Sequence, residues 1–216
     1  DGAWEGTMEA QDSARGRGVD VSCDTTSYIA GLGLMAAVLP PWLFDAGPAI
    51  AAERLADPTI RERVKGDLNR YWLMVARGEW DILWLGRTSH SMHLFGKSFV
   101  DIADTMRRQP IDAYLDILQA EGAGIADAGM FGEVKTHDHL RELVQHPLVA
   151  IEADAWTASA DGPLAAMVNH PASFGWTARV LGDYVRERRW LRLEEAVRKF
   201  TAMPAAKFGL RDRGLL

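Results

Sequence analysis

The chain has 216 residues, of which 48% are hydrophobic and 25% charged, with a net charge of −6 and a single cysteine, Cys23. This composition fits a folded globular protein, excludes an intrachain disulfide framework, and argues against nucleic acid or an anionic membrane surface as partner. The lone cysteine fits a reducing, cytoplasmic compartment, and the longest apolar stretch, from Ile29 to Phe44, is cut by Gly31, Gly33, Pro40 and Pro41 and is too short to span a bilayer.

In chain order, Val19–Thr25 reads as a strand that ends at Asp24, with Thr25, Thr26, Ser27 and Tyr28 around its exit. Thr25 and Ser27 suit a hydrogen-bonded turn, because Ser and Thr side chains bond readily to nearby backbone. Asp24 and Tyr28 also qualify as polar groups at the mouth of a barrel. The segment from Ser27 to Asp57 is long for a loop and is expected to hold a short helix. Thr59–Ala76 carries Ile60, Val64, Leu68, Trp72 and Val75 at spacings of three and four, an amphipathic helical pattern. Trp80–Arg87 reads as a second strand, followed by helices over Phe99–Met106 and Ile111–Leu118. Pro110 sits at the first position of the latter, where its missing N–H costs nothing.

Ile125–Phe131 reads as a third strand. Thr136 is an N-cap for a helix over His137–Gln145, which Pro147 ends. Leu148–Asp154 is the fourth strand, and Ala178–Arg188, Leu193–Phe200 and a short turn at Pro204–Phe208 complete the chain. None of the four strand runs alternates cleanly between apolar and polar residues, as expected of strands covered on both faces. Strands alternating with helices predict an α/β fold with a parallel sheet, a single domain over 1–216.

Asp154 closes the fourth strand. Polar side chains at the carboxyl ends of strands face the site in parallel α/β folds, and a carboxylate there suits acid/base work or metal binding. The other reading of the same position is a capping or loop residue. His137 and His139 fall in the first turn of a helix, where residues two apart point roughly 160° from each other, so they do not form a metal pair. His90 and His93 follow the second strand beside Ser89, but no acid or thiol lies near them in sequence. Gly96-Lys97-Ser98 lacks the first glycine of a P-loop, Gly31-x-Gly33 lacks a third glycine, and no G-x-S-x-G elbow occurs.

Several stretches, in one order, resemble the N-acyl-D-amino-acid deacylase branch of the metal-dependent amidohydrolase superfamily. They are Gly18-Val19-Asp20-Val21-Ser22-Cys23-Asp24, Tyr28-Ile29-Ala30-Gly31, Leu39-Pro40-Pro41-Trp42, Gly96-Lys97-Ser98, Pro110-Ile111-Asp112-Ala113, His146-Pro147-Leu148-Val149 leading to Asp154, His170-Pro171, Arg179-Val180-Leu181-Gly182, and Leu193 through Lys199. The resemblance implies the C-terminal portion of a (β/α)8 TIM-type barrel, with the early ligand-bearing strands before Asp1 and a closing β-domain after Leu216. It implies zinc, or another divalent metal, as cofactor and a small-molecule amide as substrate. It also implies Asp154 as catalytic residue and possible metal ligand, and Tyr28, Ser89 and His170 as substrate-binding residues.

The chain departs from the family pattern at Thr26, where some members carry a histidine ligand, and at Ala172, where an arginine often holds the substrate carboxylate. The Gly-Ser-Asp-Gly run of the family is Glu152-Ala153-Asp154-Ala155 here. Two other functions therefore stand beside deacylation: a degenerate barrel that binds a ligand or partner without catalysis, and an amidohydrolase of cyclic amides. The resemblance leaves the oligomeric state open, and it predicts that the 216 residues alone are inactive.

Overall fold

The computed structural model describes residues 3–155, 159, 161–162, 165 and 170–215, and side chains from residue 6 onward. The ends of the expected 1–216 domain therefore lie outside the described residues. In chain order the elements are α1 (Ala3–Gly16), β1 (Cys23–Thr26), β2 (Ala30–Leu34), two 3-10 turns, α2 (Pro48–Arg54), α3 (Pro58–Gly66), α4 (Leu73–Arg77) and β3 (Leu83–Arg87). Then follow α5 (Phe99–Met106), α6 (Pro110–Ala120), β4 (Gly129–Glu133), α7 (His137–Gln145), β5 (Val149–Glu152) and α8 (Ala172–Arg179). A π-helical segment, Val180–Glu187, continues α8, and α9 (Leu193–Phe200) and α10 (Ala202–Lys207) end the chain.

Contacts divide the chain into two compact units, one formed by 1–29 with 135–216 and the other by 30–134. The first unit holds a parallel pair, β1 beside β5, in the register Cys23↔Val149 to Thr26↔Glu152. Its outward sequence pattern is that of a half-covered pair. Val149, Ile151 and Thr25 are buried, whereas Asp24, Thr26, Ala150 and Glu152 on the other face are not. Leu140 and Val144 of α7, Ile151 of β5, Val180 and Tyr184 of the π-segment, and Leu191 and Ala196 form its core. Lys199 of α9 is fully buried and donates through Nζ to the carbonyls of His146 and Val149, the latter at 2.8 Å, tying α9 to the start of β5.

The second unit holds an antiparallel sheet in the order β2-β4-β3. This differs from the parallel pairing expected for the second and third strand runs. Strand direction depends on the connections, and here β2 was hidden in a glycine-containing segment that reads as loop. Its glycines have a packing reason. A Cβ added at Gly33 would lie 2.3 Å from Trp72 Cζ2, and one at Gly132 of the neighbouring strand 2.4 Å from Trp72 Cζ3. The Trp72 indole thus lies flat on a side-chain-free patch of the sheet, and only glycine permits that approach.

Gly33→Ala is therefore expected to expel the ring and destabilise this unit by about 1–3 kcal/mol, the usual range for overpacking a core. The check is thermal unfolding followed by tryptophan fluorescence. An unchanged midpoint together with unchanged emission would show that the ring is not held there.

The helix expected over Thr59–Ala76 is two helices, α3 and α4. The intervening backbone is drawn into tertiary bonds: Asn69 N–H donates to Val38 O at 2.8 Å, Trp42 Nε1 donates to the Asp67 carboxylate at 2.7 Å, and Tyr71 N–H to Asn69 Oδ1 at 2.8 Å. Asn69 offers the chain a local alternative to helical bonding. By contrast α5, α7 and α9 keep their expected bounds, and Thr136 Oγ1 accepts from His139 N–H at 3.1 Å as the α7 cap.

Candidate active site

The carboxyl ends of β1 and β5 lie side by side, because the strands are parallel and end on the pair Thr26↔Glu152. Tyr28 and Asp154 each stand two residues beyond that pair, so both leave the sheet at the same end. Asp154 is exposed and follows β5 rather than closing it, whereas Asp24 lies inside β1, opposite Ala150, and not at a strand end. Asp24, which the sequence leaves open between a turn and the barrel mouth, is a strand residue on the face opposite buried Thr25, Val149 and Ile151.

That face is charged. Lys135, just after β4, reaches back to donate from Nζ to Thr26 Oγ1 at 2.8 Å. Burial pushes the Lys135 ammonium down from its ordinary value, opposed by the charges of Glu152 and Asp24. Burial also pushes the Glu152 carboxyl up, with the negative charges of Asp24 and Asp154 acting in the same direction and Lys135 opposing them. Position 26 is thus filled by a hydroxyl engaged with a lysine. Asp24, Glu152, Ala155, Ala172 and Trp176 help line an open cleft of about 320 Å³ in this unit.

Because the Glu152 pKa is raised in the folded state, the folded protein binds more protons than the unfolded chain between the unfolded and folded values. Stability then falls as pH rises through that window. Glu152→Gln is expected to raise the midpoint of thermal unfolding at neutral pH and to lose that advantage below the ordinary carboxylate range. Equal midpoints for the two proteins at neutral pH would contradict the charge cluster.

A second cluster stands at the same strand end. The Tyr28 and His170 rings meet edge to face at 5.0 Å, and His170 Nδ1 accepts from the Ala172 N–H at 3.0 Å. The Arg179 guanidinium lies 4.7 Å from the centre of the Tyr28 ring. Arg179 Nε donates to the Ser27 carbonyl at 3.1 Å and to Tyr184 Oη at 3.3 Å, and Tyr184 Oη donates to the same carbonyl at 2.5 Å. The π-helical winding brings Tyr184, five residues on, next to Arg179. Burial raises the Tyr28 phenol, and the Arg179 charge opposes it. The Ser27 hydroxyl is buried without a hydrogen-bond partner among the described residues, so it is not the bonded turn residue that the sequence suggests. Sequence alone does not mark Arg179 and Tyr184 for the site, since a motif match does not show a side chain reaching back to a strand end.

Ser89 lies in the other unit. Its loop is held by Glu121 at the end of α6, whose side chain is 2% exposed. The carboxylate accepts from the Thr88 hydroxyl, from Ser89 N–H at 2.9 Å and from His90 N–H at 3.2 Å, with His90 Nδ1 at 3.5 Å. Burial pushes the Glu121 carboxyl up, but these donors outweigh it and hold the group below its usual value. His93, His137 and His139 take no part in a ligand cluster, and among the described residues no three of His, Cys, Asp or Glu converge as a metal-binding set. None of the described helices is long and apolar enough to cross a membrane.

No family model matches the chain. Among curated proteins, an N-acyl-D-glutamate deacylase of Alcaligenes xylosoxydans xylosoxydans is 38% identical over 92 residues, covering 43% of this chain and 17% of that protein. An N-acyl-D-aspartate deacylase of the same organism is 35% identical over 98 residues, covering 45% of this chain and 18% of that protein. The crystal structure of an N-acyl-D-glutamate deacylase from Bordetella bronchiseptica, complexed with zinc and a phosphonate mimic of the reaction's tetrahedral intermediate, superposes with a TM-score of 0.62 at 25% identity. That match covers 98% of this chain and 34% of the other, so the chain spans about a third of the length of the solved relative. The chain is thus a mixed α/β chain whose fold is similar to that of an N-acyl-D-glutamate deacylase, and its matched stretch is similar in sequence to curated N-acyl-D-glutamate and N-acyl-D-aspartate deacylases.

Proposed function

We propose that this chain is the later part of the (β/α)8 barrel of a divalent-metal-dependent deacylase of N-acyl-D-amino acids, with β1 and β5 as neighbouring barrel strands and residues 30–134 inserted between them. One observation carries the reading. The parallel register of β1 and β5 brings Asp154, Tyr28 and His170 to one carboxyl end, where barrel enzymes assemble their sites.

Asp154 supplies the acid/base group. Its carboxylate takes the proton of the attacking water and returns it to the leaving nitrogen, so that the amine departs neutral. Tyr28 and His170, whose rings meet edge to face, are the proposed substrate-binding pair; Ser89, in the other unit, is a substrate-binding candidate by the resemblance alone. As a hard oxygen donor Asp154 also fits one position of a zinc site, but a catalytic zinc needs about three protein ligands, and the described residues do not assemble them. On this reading the described residues of the chain offer one such ligand, Asp154. A bound metal would make water acidic and polarise the carbonyl.

The substrate is a small amide. The acidic surface gives no footing for nucleic acid, and the reading places the enzyme in the cytoplasm. The test is hydrolysis of a panel of N-acyl-D-amino acids by the full-length protein with zinc supplied. Release of the free D-amino acid is expected, and the L-enantiomers should be poor substrates. A zinc-loaded protein that hydrolyses none of the panel would overturn the proposal.

A further inference from the structure

The two units are built differently along the chain. Residues 30–134 are one continuous stretch, whereas the other unit is split into 1–29 and 135–216. The continuous stretch has a core of its own. Its buried side chains, from Met35 to Met130, all lie inside it, as do the partly buried ones packed against them, from Trp42 to Ile111. The Tyr114 hydroxyl donates to the Met35 carbonyl at 2.6 Å within that core. The Arg61–Asp116 and Lys65–Asp112 pairs close inside the same stretch, at 2.6 and 2.7 Å. The split unit likewise buries Leu140, Ile151, Val180 and Tyr184 against side chains of its own two pieces.

The ends of the continuous stretch are clipped together by its own sheet. Ala30 opens β2 and is the cross-strand partner of Glu133, which closes β4. Just beyond that pair, Lys135 N–H donates to the Ile29 carbonyl at 3.2 Å. Ile29 packs against the core of the split unit, and Lys135 Nζ donates to Thr26 Oγ1 of β1 at 2.8 Å. Closing β2 on β4 therefore brings residues 29 and 135 together, and with them the two pieces of the split unit. Without that closure, a loop of about a hundred residues has to close before β1 can meet β5, and its entropic cost grows with the logarithm of its length. The continuous stretch meets no such cost, because unfolding of the split unit leaves it only two loose tails.

We infer that residues 30–134 fold on their own and act as a clamp on the strand pair β1–β5. The split unit needs the folded insert, and the insert does not need the split unit.

The experiment follows amide hydrogen exchange by mass spectrometry in the full-length protein, which reads local opening segment by segment. Leu118 and Leu140 are each 0% exposed, one in either core, and a carboxylate buried at either position keeps that core from packing. In Leu140→Asp, peptides over 135–152 are expected to lose protection while those over 30–134 exchange as in wild type. In Leu118→Asp, peptides over 30–134 should lose protection. Those covering β1 and β5 should then exchange about 100- to 1,000-fold faster too, the scale set by closing a loop of that length. Loss of protection across 30–134 in Leu140→Asp would overturn the autonomy of the insert. Wild-type exchange of β1 and β5 in Leu118→Asp would overturn the clamp. Ile102→Val removes one methyl group from the insert's core and leaves it folded. There β1 and β5 should keep wild-type exchange, and faster exchange in them would mean that the chain opens as one body, contrary to the inference.

Discussion

On the proposed deacylase function, Asp154→Asn in the full-length protein is expected to lower kcat by about 100- to 10,000-fold, the usual cost of losing general acid/base help. The substitution keeps shape and volume and removes basicity. Asp154 is exposed at the end of β5 and makes none of the core contacts of its unit, so folding should be nearly intact. The neighbouring Glu152 should respond as well, since Asp154 is one of the negative charges that push its carboxyl up. Asp24→Asn is the internal control. It removes a charge from the same face, but from within β1 rather than from the strand exit. Its kcat should stay within a few-fold of wild type, with the gain in stability expected for relieving the same repulsion. An Asp154→Asn enzyme with near wild-type kcat would mean that Asp154 is only a loop residue and that the acid/base assignment fails.

Where local chemistry decides an element, the sequence was enough. Thr136 caps α7 with its own hydroxyl, Pro110 opens α6, and the spacing of Phe99, Ile102 and Ala103 buries one side of α5. Where partners distant in sequence decide, it was not. β2 consists of Ala-Gly-Leu-Gly-Leu, residues with no strand preference to show. Its Gly33 leaves room for the Trp72 ring, and Trp72 lies 39 residues beyond Gly33. The break between α3 and α4 depends on Val38 and Trp42 accepting and donating across the unit.

The direction of β3 and β4 was equally hidden, since unbroken apolar runs suit a buried antiparallel sheet as well as a parallel one. The site divides in the same way. The candidates Asp154, Tyr28 and His170 come from their positions near a strand end and from a motif. Lys135, Arg179 and Tyr184 enter only through three-dimensional reach, and the fully buried Lys199 shows how poorly charge alone predicts exposure.

Glu121 is the strongest case of a residue with no sequence signal, and its loss should be among the most destabilising in the chain. It follows α6 and reads as an ordinary charged helix end. Yet its carboxylate is buried and is the common acceptor for the Thr88 hydroxyl and for the N–H groups of Ser89 and His90. Thr88 in turn accepts from Ser91 N–H at 2.9 Å, so one carboxylate fixes a whole turn after β3. Glu121→Ala strands those donors, and each buried group left without a partner costs about 1–3 kcal/mol. We expect a total near 3 kcal/mol, because water can enter and satisfy part of the exposed Ser89 and His90 backbone.

The pH dependence gives an independent check. Glu121 has a folded pKa below its unfolded value, so its contribution is present above the unfolded pKa and is lost as pH falls through the folded one. The gap in unfolding free energy between wild type and Glu121→Gln should therefore be widest at neutral pH and narrow in acid. Denaturant unfolding at neutral and acid pH measures it. A gap that stays constant or grows in acid would mean that the carboxylate is not ionised in the fold, and the turn after β3 would then have to be held by its shape alone.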